Sequence, residues 1–220
     1  MIRLIDVTKT FYADGTAKTV ADRINLTFPS GQSVALLGRN GAGKSSLLRI
    51  ISGTMRASSG EVRIDGSVSW PVGFAGSFHG DLSGFQNTRF VARIYGVDTD
   101  QLVEFVRDFA ELGDHFFLPF RTYSQGMRAR LGFAVSMGID FDTYLIDEVT
   151  SVGDAAFRQK SETVLRDRLT TRGAIIVSHN LDMLARMCDA AVVIDDGHAT
   201  WFNDVAEAVD EHRRNMRVIA

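Results

Sequence analysis

Cysteine and proline are scarce in this chain of 220 residues, and each scarcity excludes something. A single cysteine, Cys188, rules out an internal disulfide framework and suits a reducing compartment. Three prolines and no low-complexity tract leave no stiff linker between domains. Apolar runs stop at about five residues (Ala190 to Ile194), against the roughly 20 that span a bilayer. Met1-Ile2-Arg3-Leu4-Ile5-Asp6 has an acid at its sixth position and lacks the form of a signal peptide. A net charge of −3, with no run of one sign, argues against nucleic acid as a partner. What is present is an ordinary globular composition, 45% apolar and 23% charged, with enough chain for one domain carrying a small lobe. The expected location is cytoplasmic.

Four short apolar runs, Ser33 to Leu37, Thr143 to Ile146, Ala174 to Val177 and Ala191 to Ile194, lack polar alternation. That pattern marks strands buried on both faces, as in a parallel sheet covered by helices. Helical patterns lie between them, so the centre reads as α/β. Ile2 to Val7, Val20 to Phe28 and Glu61 to Val68 alternate more, with turn signals such as Ser59-Gly60 and Asp65-Gly66. They predict a small N-terminal antiparallel layer. Residues 74 to 133 hold ten of the fifteen phenylalanines and no lysine, with helical patterns from Thr88 onward. This stretch reads as a helical lobe inserted between core strands within a single domain over 1–220. A final helix is predicted from Asn203 to Arg217, capped by Asn203 or Asp204.

The chemistry begins at Gly38-Arg39-Asn40-Gly41-Ala42-Gly43-Lys44-Ser45, followed by Ser46, which fits G-x-x-x-x-G-K-[ST]. A strand precedes it and a helix follows. Glycines let the backbone wrap phosphate oxygens, and the helix N-terminus adds partial positive charge. Lys44 is expected to reach the β- and γ-phosphates of ATP, and the Ser45 hydroxyl to ligate Mg²⁺. Downstream, Tyr144-Leu145-Ile146-Asp147-Glu148 ends a buried strand in two carboxylates. Open α/β sheets bind ligands beyond the carboxyl ends of their strands. Asp147 therefore fits the magnesium-holding acid, and Glu148 the group that polarises the attacking water.

Between these motifs lies Tyr123-Ser124-Gln125-Gly126-Met127-Arg128, in which Ser124 can cap a helix with an apolar stripe at Met127, Leu131, Ala134 and Val135. A later strand ends in Val177-Ser178-His179. Together these elements resemble the nucleotide-binding subunits of ATP-binding cassette (ABC) transporters over nearly the whole chain. The resemblance implies a P-loop core with a mainly parallel sheet, an antiparallel β layer and the helical lobe. It also implies two copies paired head to tail, each ATP lying between one phosphate loop and the other copy's Ser124-x-Gly126 signature. By the same resemblance His179 contacts the γ-phosphate, Asp154 communicates across the dimer, and Phe11 stacks on adenine, with Tyr12 as its rival. The glutamine usual in the loop joining core to lobe is missing between Trp70 and Ser83; Ser77 and His79 stand near its place, and Gln86 falls in a later turn.

Ser69-Trp70-Pro71-Val72-Gly73-Phe74 and Phe78-His79-Gly80-Asp81-Leu82-Ser83-Gly84-Phe85-Gln86-Asn87 are similar to the short ATPase subunits of capsular polysaccharide export. The implied partners are a second copy and an integral membrane permease, with the chain at the cytoplasmic face of the inner membrane and no contact with polysaccharide. Phe78 and Phe85, beside glycines with little local core, are expected to receive a short helix of that permease. Exporters of teichoic acid, O-antigen or a small solute remain alternatives, as does a non-transport ABC ATPase acting on DNA or ribosomes.

Overall fold

The computed structural model describes residues 1–13, 15–72, 78–147 and 154–217. In chain order its elements are β1 (Ile2–Ala13), β2 (Thr16–Phe28), β3 (Ser33–Gly38), α1 (Lys44–Ile51), β4 (Ser59–Ile64), β5 (Val68–Pro71), α2 (Gly84–Tyr95), α3 (Thr99–Ala110), α4 (Gln125–Gly138), β6 (Thr143–Asp147), α5 (Ala155–Leu169), β7 (Gly173–Val177), α6 (Leu181–Met187), β8 (Ala190–Asp195), β9 (His198–Phe202) and α7 (Val205–Arg217). The chain divides into two compact units: residues 1–71, 141–148 and 168–220, and residues 72–140 with 149–167.

The first unit holds both sheets. A three-stranded sheet runs β2-β1-β4, all antiparallel, and a six-stranded sheet runs β5-β6-β7-β3-β8-β9. In the second, β3 is flanked in parallel by β7 and β8, pairing Val34 with Ile175 and Leu36 with Val192. The runs without polar alternation are these central strands, and Val34 to Leu37 are fully enclosed. Leu47, Leu48 and Ile51 of α1 pack into the same core. Truncating a side chain as enclosed as Leu48 costs about 2–5 kcal/mol.

Three expectations change in detail. The hairpin β1–β2 continues past Val7, pairing Phe11 with Lys18 after bulges between Leu4 and Thr10. The run Glu61 to Val68 is not one strand: β4 ends at Ile64 and β5 joins the other sheet, beside β6. The break is at Gly66, where φ is +98° and a Cβ would strike the Asp142 carboxylate. That carboxylate accepts from the Ser67 N–H at 2.8 Å and its hydroxyl at 3.0 Å, bonds that hold its pKa below the ordinary range. The third change is β9, an antiparallel edge strand reached through Asp196-Gly197, both at positive φ as a two-residue hairpin turn requires.

The second unit carries α2, α3, α4 and most of α5. Its phenylalanines form its own core: Phe109 contacts Phe105, Phe133 and Phe157, with ring centroids 5.5–5.7 Å apart. Gly138 admits Leu102 and Phe105 where a Cβ would collide. α2 begins earlier than predicted, because Ser83 and Gln86 form a capping box that closes its first turn. Gln86 is thus a helical residue rather than part of a turn. Its side-chain oxygen accepts from the Ser83 N–H at 2.9 Å. Phe78 and Phe85 do have local core to join: the buried Phe78 lies edge-on to Phe120 at 5.3 Å, and the half-buried Phe85 contacts Phe116 and Phe117. No helix among the described residues is long and apolar enough to cross a membrane.

Candidate functional site: a phosphate loop and a capped helix start

The loop between β3 and α1 is built by three glycines that no other residue could replace cheaply. Gly38, Gly41 and Gly43 all have positive φ. A Cβ on Gly38 would meet the Ile194 carbonyl at 2.5 Å, and one on Gly43 the Val20 carbonyl at 2.6 Å. The chain therefore passes tightly between β8 and β2 before entering α1. Gly43 is the N-cap of α1 and brings no side chain to its first-turn N–H groups, so these are left for a ligand. Lys44 Nζ donates to the carbonyls of Gly38 at 2.7 Å and Arg39 at 2.9 Å. The cationic head thus sits folded back over the loop.

A cleft of about 660 Å³ opens on this loop, and Phe11, Lys18, Asn40, Lys44, Ser45 and Ser46 are among its walls. The antiparallel hairpin supplies Phe11, 39% exposed, whereas Tyr12 is 82% exposed and does not line the cleft. Lys18 was not legible as a site residue. It reaches the cleft because the hairpin register sets it opposite Phe11, and its Nζ lies 3.5 Å from where a Gly41 Cβ would be. A lone lysine in an alternating strand gives no signal of its own.

At the same end of the sheet β6 finishes in Asp147, half-buried and paired with Val177 of β7. Two residues past β7 lies His179, which shares a smaller cavity of about 260 Å³ with Gly38, Arg39 and Asn40. Glu148 falls outside the described residues. So do Gly73 to Ser77, and with them Ser77 as a stand-in for the missing glutamine; His79 Nδ1 accepts from the Asp81 N–H at 3.3 Å. Among the described residues no group of three acidic, histidine or cysteine side chains forms a ready metal cluster. The hard oxygens of Ser45 and Asp147 suit Mg²⁺, which usually completes its shell with phosphate oxygens and water. Burial and Asp189 push the Cys188 thiol up to about 12, which removes it as a nucleophile.

In the second unit, Ser124 caps α4 by accepting from the Met127 N–H at 3.3 Å. Gly126 lies in the first turn, and among the described residues a Cβ there would meet nothing nearer than Ser124 Oγ at 4.0 Å. A cavity of about 380 Å³ is lined by Ser124, Gly126, Met127, Arg130, His115 and Asp154, among others. Asp154 accepts from the Phe157 N–H at 2.9 Å at the start of α5 and pairs with Arg130 at 2.8 Å. The Phe157 N–H first, then Arg130, holds the Asp154 carboxyl below the ordinary range. Behind Ser124, the buried Tyr123 hydroxyl donates to the His115 carbonyl at 2.7 Å and accepts from the Gly84 N–H at 3.2 Å. These bonds tie α4's entry to α2.

A mainly parallel sheet whose central strand opens through this loop into a helix defines a P-loop nucleotide-binding domain. Within that class the comparisons are specific, for the model of the family described as ABC transporter matches residues 21–151. The chain belongs to that family. It is 43% identical to the polysialic acid transport ATP-binding protein KpsT of Escherichia coli, covering 97% of this chain and 96% of that protein. It is 41% identical to the capsule polysaccharide export ATP-binding protein CtrD of Neisseria meningitidis serogroup B, covering 96% and 97%. Its fold is similar to the dimeric structure of MJ0796, a bacterial ABC transporter cassette, with TM-score 0.73, 21% identity and coverage of 90% and 96%.

Proposed function

We propose that this chain is the ATP-hydrolysing subunit of an ABC exporter of capsular polysaccharide, acting as a pair of copies on a separate membrane permease at the cytoplasmic face of the inner membrane. One observation carries the nucleotide reading: a single cleft gathers Phe11, Lys44, Ser45 and Ser46 around a loop shaped by positive-φ glycines. The likeness to capsule export ATP-binding proteins over almost the full chain carries the transport class.

In this reading ATP is the substrate. Phe11 lies against adenine, and the N–H groups of Gly41 to Ser46 surround the phosphates. Lys44 exchanges its carbonyl partners for phosphate oxygens, and His179 meets the γ-phosphate. Ser45 and Asp147 hold Mg²⁺, which supplies charge neutralisation on the phosphates when bound. Glu148 orients or deprotonates water for in-line attack on the γ-phosphorus, and the bond to the β-phosphate oxygen breaks. Ser124 and Gly126 of the second copy cover the γ-phosphate with a helix start, whose N–H groups and dipole favour an anion. Asp154 links that helix to the dimer contact. The closed pair binds triphosphate better than the open pair, so cleavage opens it, and this difference in affinity drives the permease. The polymer itself touches the permease and not this chain, and no nucleic acid is involved.

Glu148→Gln is the test. It should bind ATP, hydrolyse it at least 100-fold more slowly, as loss of a general base predicts, and run as a dimer in gel filtration with ATP. Turnover near that of the parent removes Glu148 from the role.

A further inference from the structure

Of the four lysines in this chain, three are engaged within the fold. Lys9 donates to the Arg56 carbonyl at 2.9 Å, Lys44 to its two loop carbonyls, and Lys160 to the Phe109 carbonyl at 3.1 Å. Among the described residues the Lys18 ammonium has no hydrogen-bond or ion-pair partner. Its place is nevertheless fixed. Cross-strand partners share a face of a sheet, so pairing with Phe11 puts Lys18 on the same side of the β1–β2 hairpin as that ring. From there the side chain extends to the phosphate loop, where Nζ lies 3.5 Å from the point a Gly41 Cβ would occupy. The cleft of Phe11, Lys44, Ser45 and Ser46 is thus lined by a second ammonium. Asp195 and Asp196 line a neighbouring cavity of about 510 Å³ with it, and neither forms an ion pair with it. A cation left unpaired over a loop whose N–H groups are free for an anion points to an anionic ligand.

We propose that Lys18 is a second phosphate-binding lysine, whose ammonium contacts a non-reacting phosphate of the nucleotide, α or β. The inference deepens the nucleotide-binding reading above and rests on it. Lys18 stands between the ring assigned to adenine and the loop assigned to the phosphates, the stretch of a nucleotide that holds ribose and the inner phosphates. The 260 Å³ cavity that His179 shares with Gly38, Arg39 and Asn40, beside the place of the γ-phosphate in that reading, does not have Lys18 in its walls. The inner phosphates are common to ATP and ADP, so this contact holds product as firmly as substrate. It is uniform binding, which sets affinity rather than the rate of the chemical step.

The experiment titrates the chain with AMP, ADP and a non-hydrolysable ATP analogue by calorimetry, at low and at high salt. Lys18→Met keeps the carbon stem and removes the charge. It should weaken ADP and the analogue by the same factor, about 3- to 10-fold at low ionic strength, and the loss should shrink as salt is added. Lys18→Arg should restore most of the affinity. A loss that extends to AMP assigns the contact to the α-phosphate, and a loss absent with AMP assigns it to the β-phosphate. A loss with the analogue while ADP is unaffected would move Lys18 to the γ-phosphate and overturn the proposal. Unchanged affinities overturn it too, and a lowered melting temperature beside them would give the ammonium to Asp195 or Asp196. A parent chain that binds no ADP overturns the nucleotide reading first. A parent that binds ADP no better than Lys18→Met does overturns this inference alone.

Discussion

Lys44 donates to the carbonyl oxygen of Gly38, six residues back in its own loop, at 2.7 Å. With the bond to Arg39, the ammonium replaces part of its lost hydration with backbone oxygens. These are neutral acceptors, so a triphosphate is a stronger partner for the same charge. Lys44→Ala should lower ATP affinity at least tenfold, about 1.4 kcal/mol, in a filter or fluorescence titration. Unchanged binding would contradict the loop assignment.

Phe11 and Tyr12 are adjacent in β1 and point to opposite faces of the hairpin, which separates two aromatic residues that composition could not. Only Phe11 lines the cleft, and the Lys9 ammonium lies 5.0 Å from its ring centroid. A stacked ring contributes about 0.5–1.5 kcal/mol beyond its area, so Phe11→Ala should weaken ATP roughly 2- to 12-fold. Tyr12→Ala should leave the affinity as it was. The reverse pattern would exchange their roles.

The parts of this molecule that were legible in its sequence are those in which local chemistry dictates local geometry. The glycine loop needs positive φ, Ser124 needs an orphan N–H to cap, and enclosed strands need apolar runs. Lys18 was hidden for the opposite reason. It is ordinary in its own strand and reaches the site only through hairpin register. Phe78 and Phe85 misled because glycine-rich neighbours suggested an empty surround, whereas rings from the segment 116–120 pack on them. The broken run after Glu61 depended on Asp142, far along the chain, whose carboxylate holds Ser67. The same limit applies to Asp204, which is settled as the final cap only by its bond to the Ala206 N–H at 2.7 Å.

Asp154 gives a stability prediction with a definite sign. Its pKa is lowered in the folded chain, chiefly by the Phe157 N–H and secondarily by Arg130. A group depressed in this way stabilises the fold above its ordinary pKa, and the contribution disappears as pH falls through the folded value. Asp154→Asn keeps an oxygen for the N–H but no charge. The melting temperature of the parent should exceed that of the variant by a constant amount from pH 7 to about pH 5. The gap should close as the pH is taken below about 4. A gap that persists unchanged at pH 3 would place the stabilisation in hydrogen bonding alone.

Gly126 separates the demands of folding from those of assembly. Among the described residues nothing presses on it, so a side chain there meets no packing neighbour. An acid in the first turn of a helix is favourable, by about 0.3–1 kcal/mol at an exposed site. Gly126→Asp should therefore melt at the parent's temperature or slightly above it. If the open space is where the second copy's triphosphate lies, the same carboxylate meets the γ-phosphate charge to charge. Placed in the Glu148→Gln background, the substitution should then leave a chain that binds ATP yet stays monomeric in gel filtration. An ATP-dependent dimer that survives Gly126→Asp would move the contact away from the α4 start.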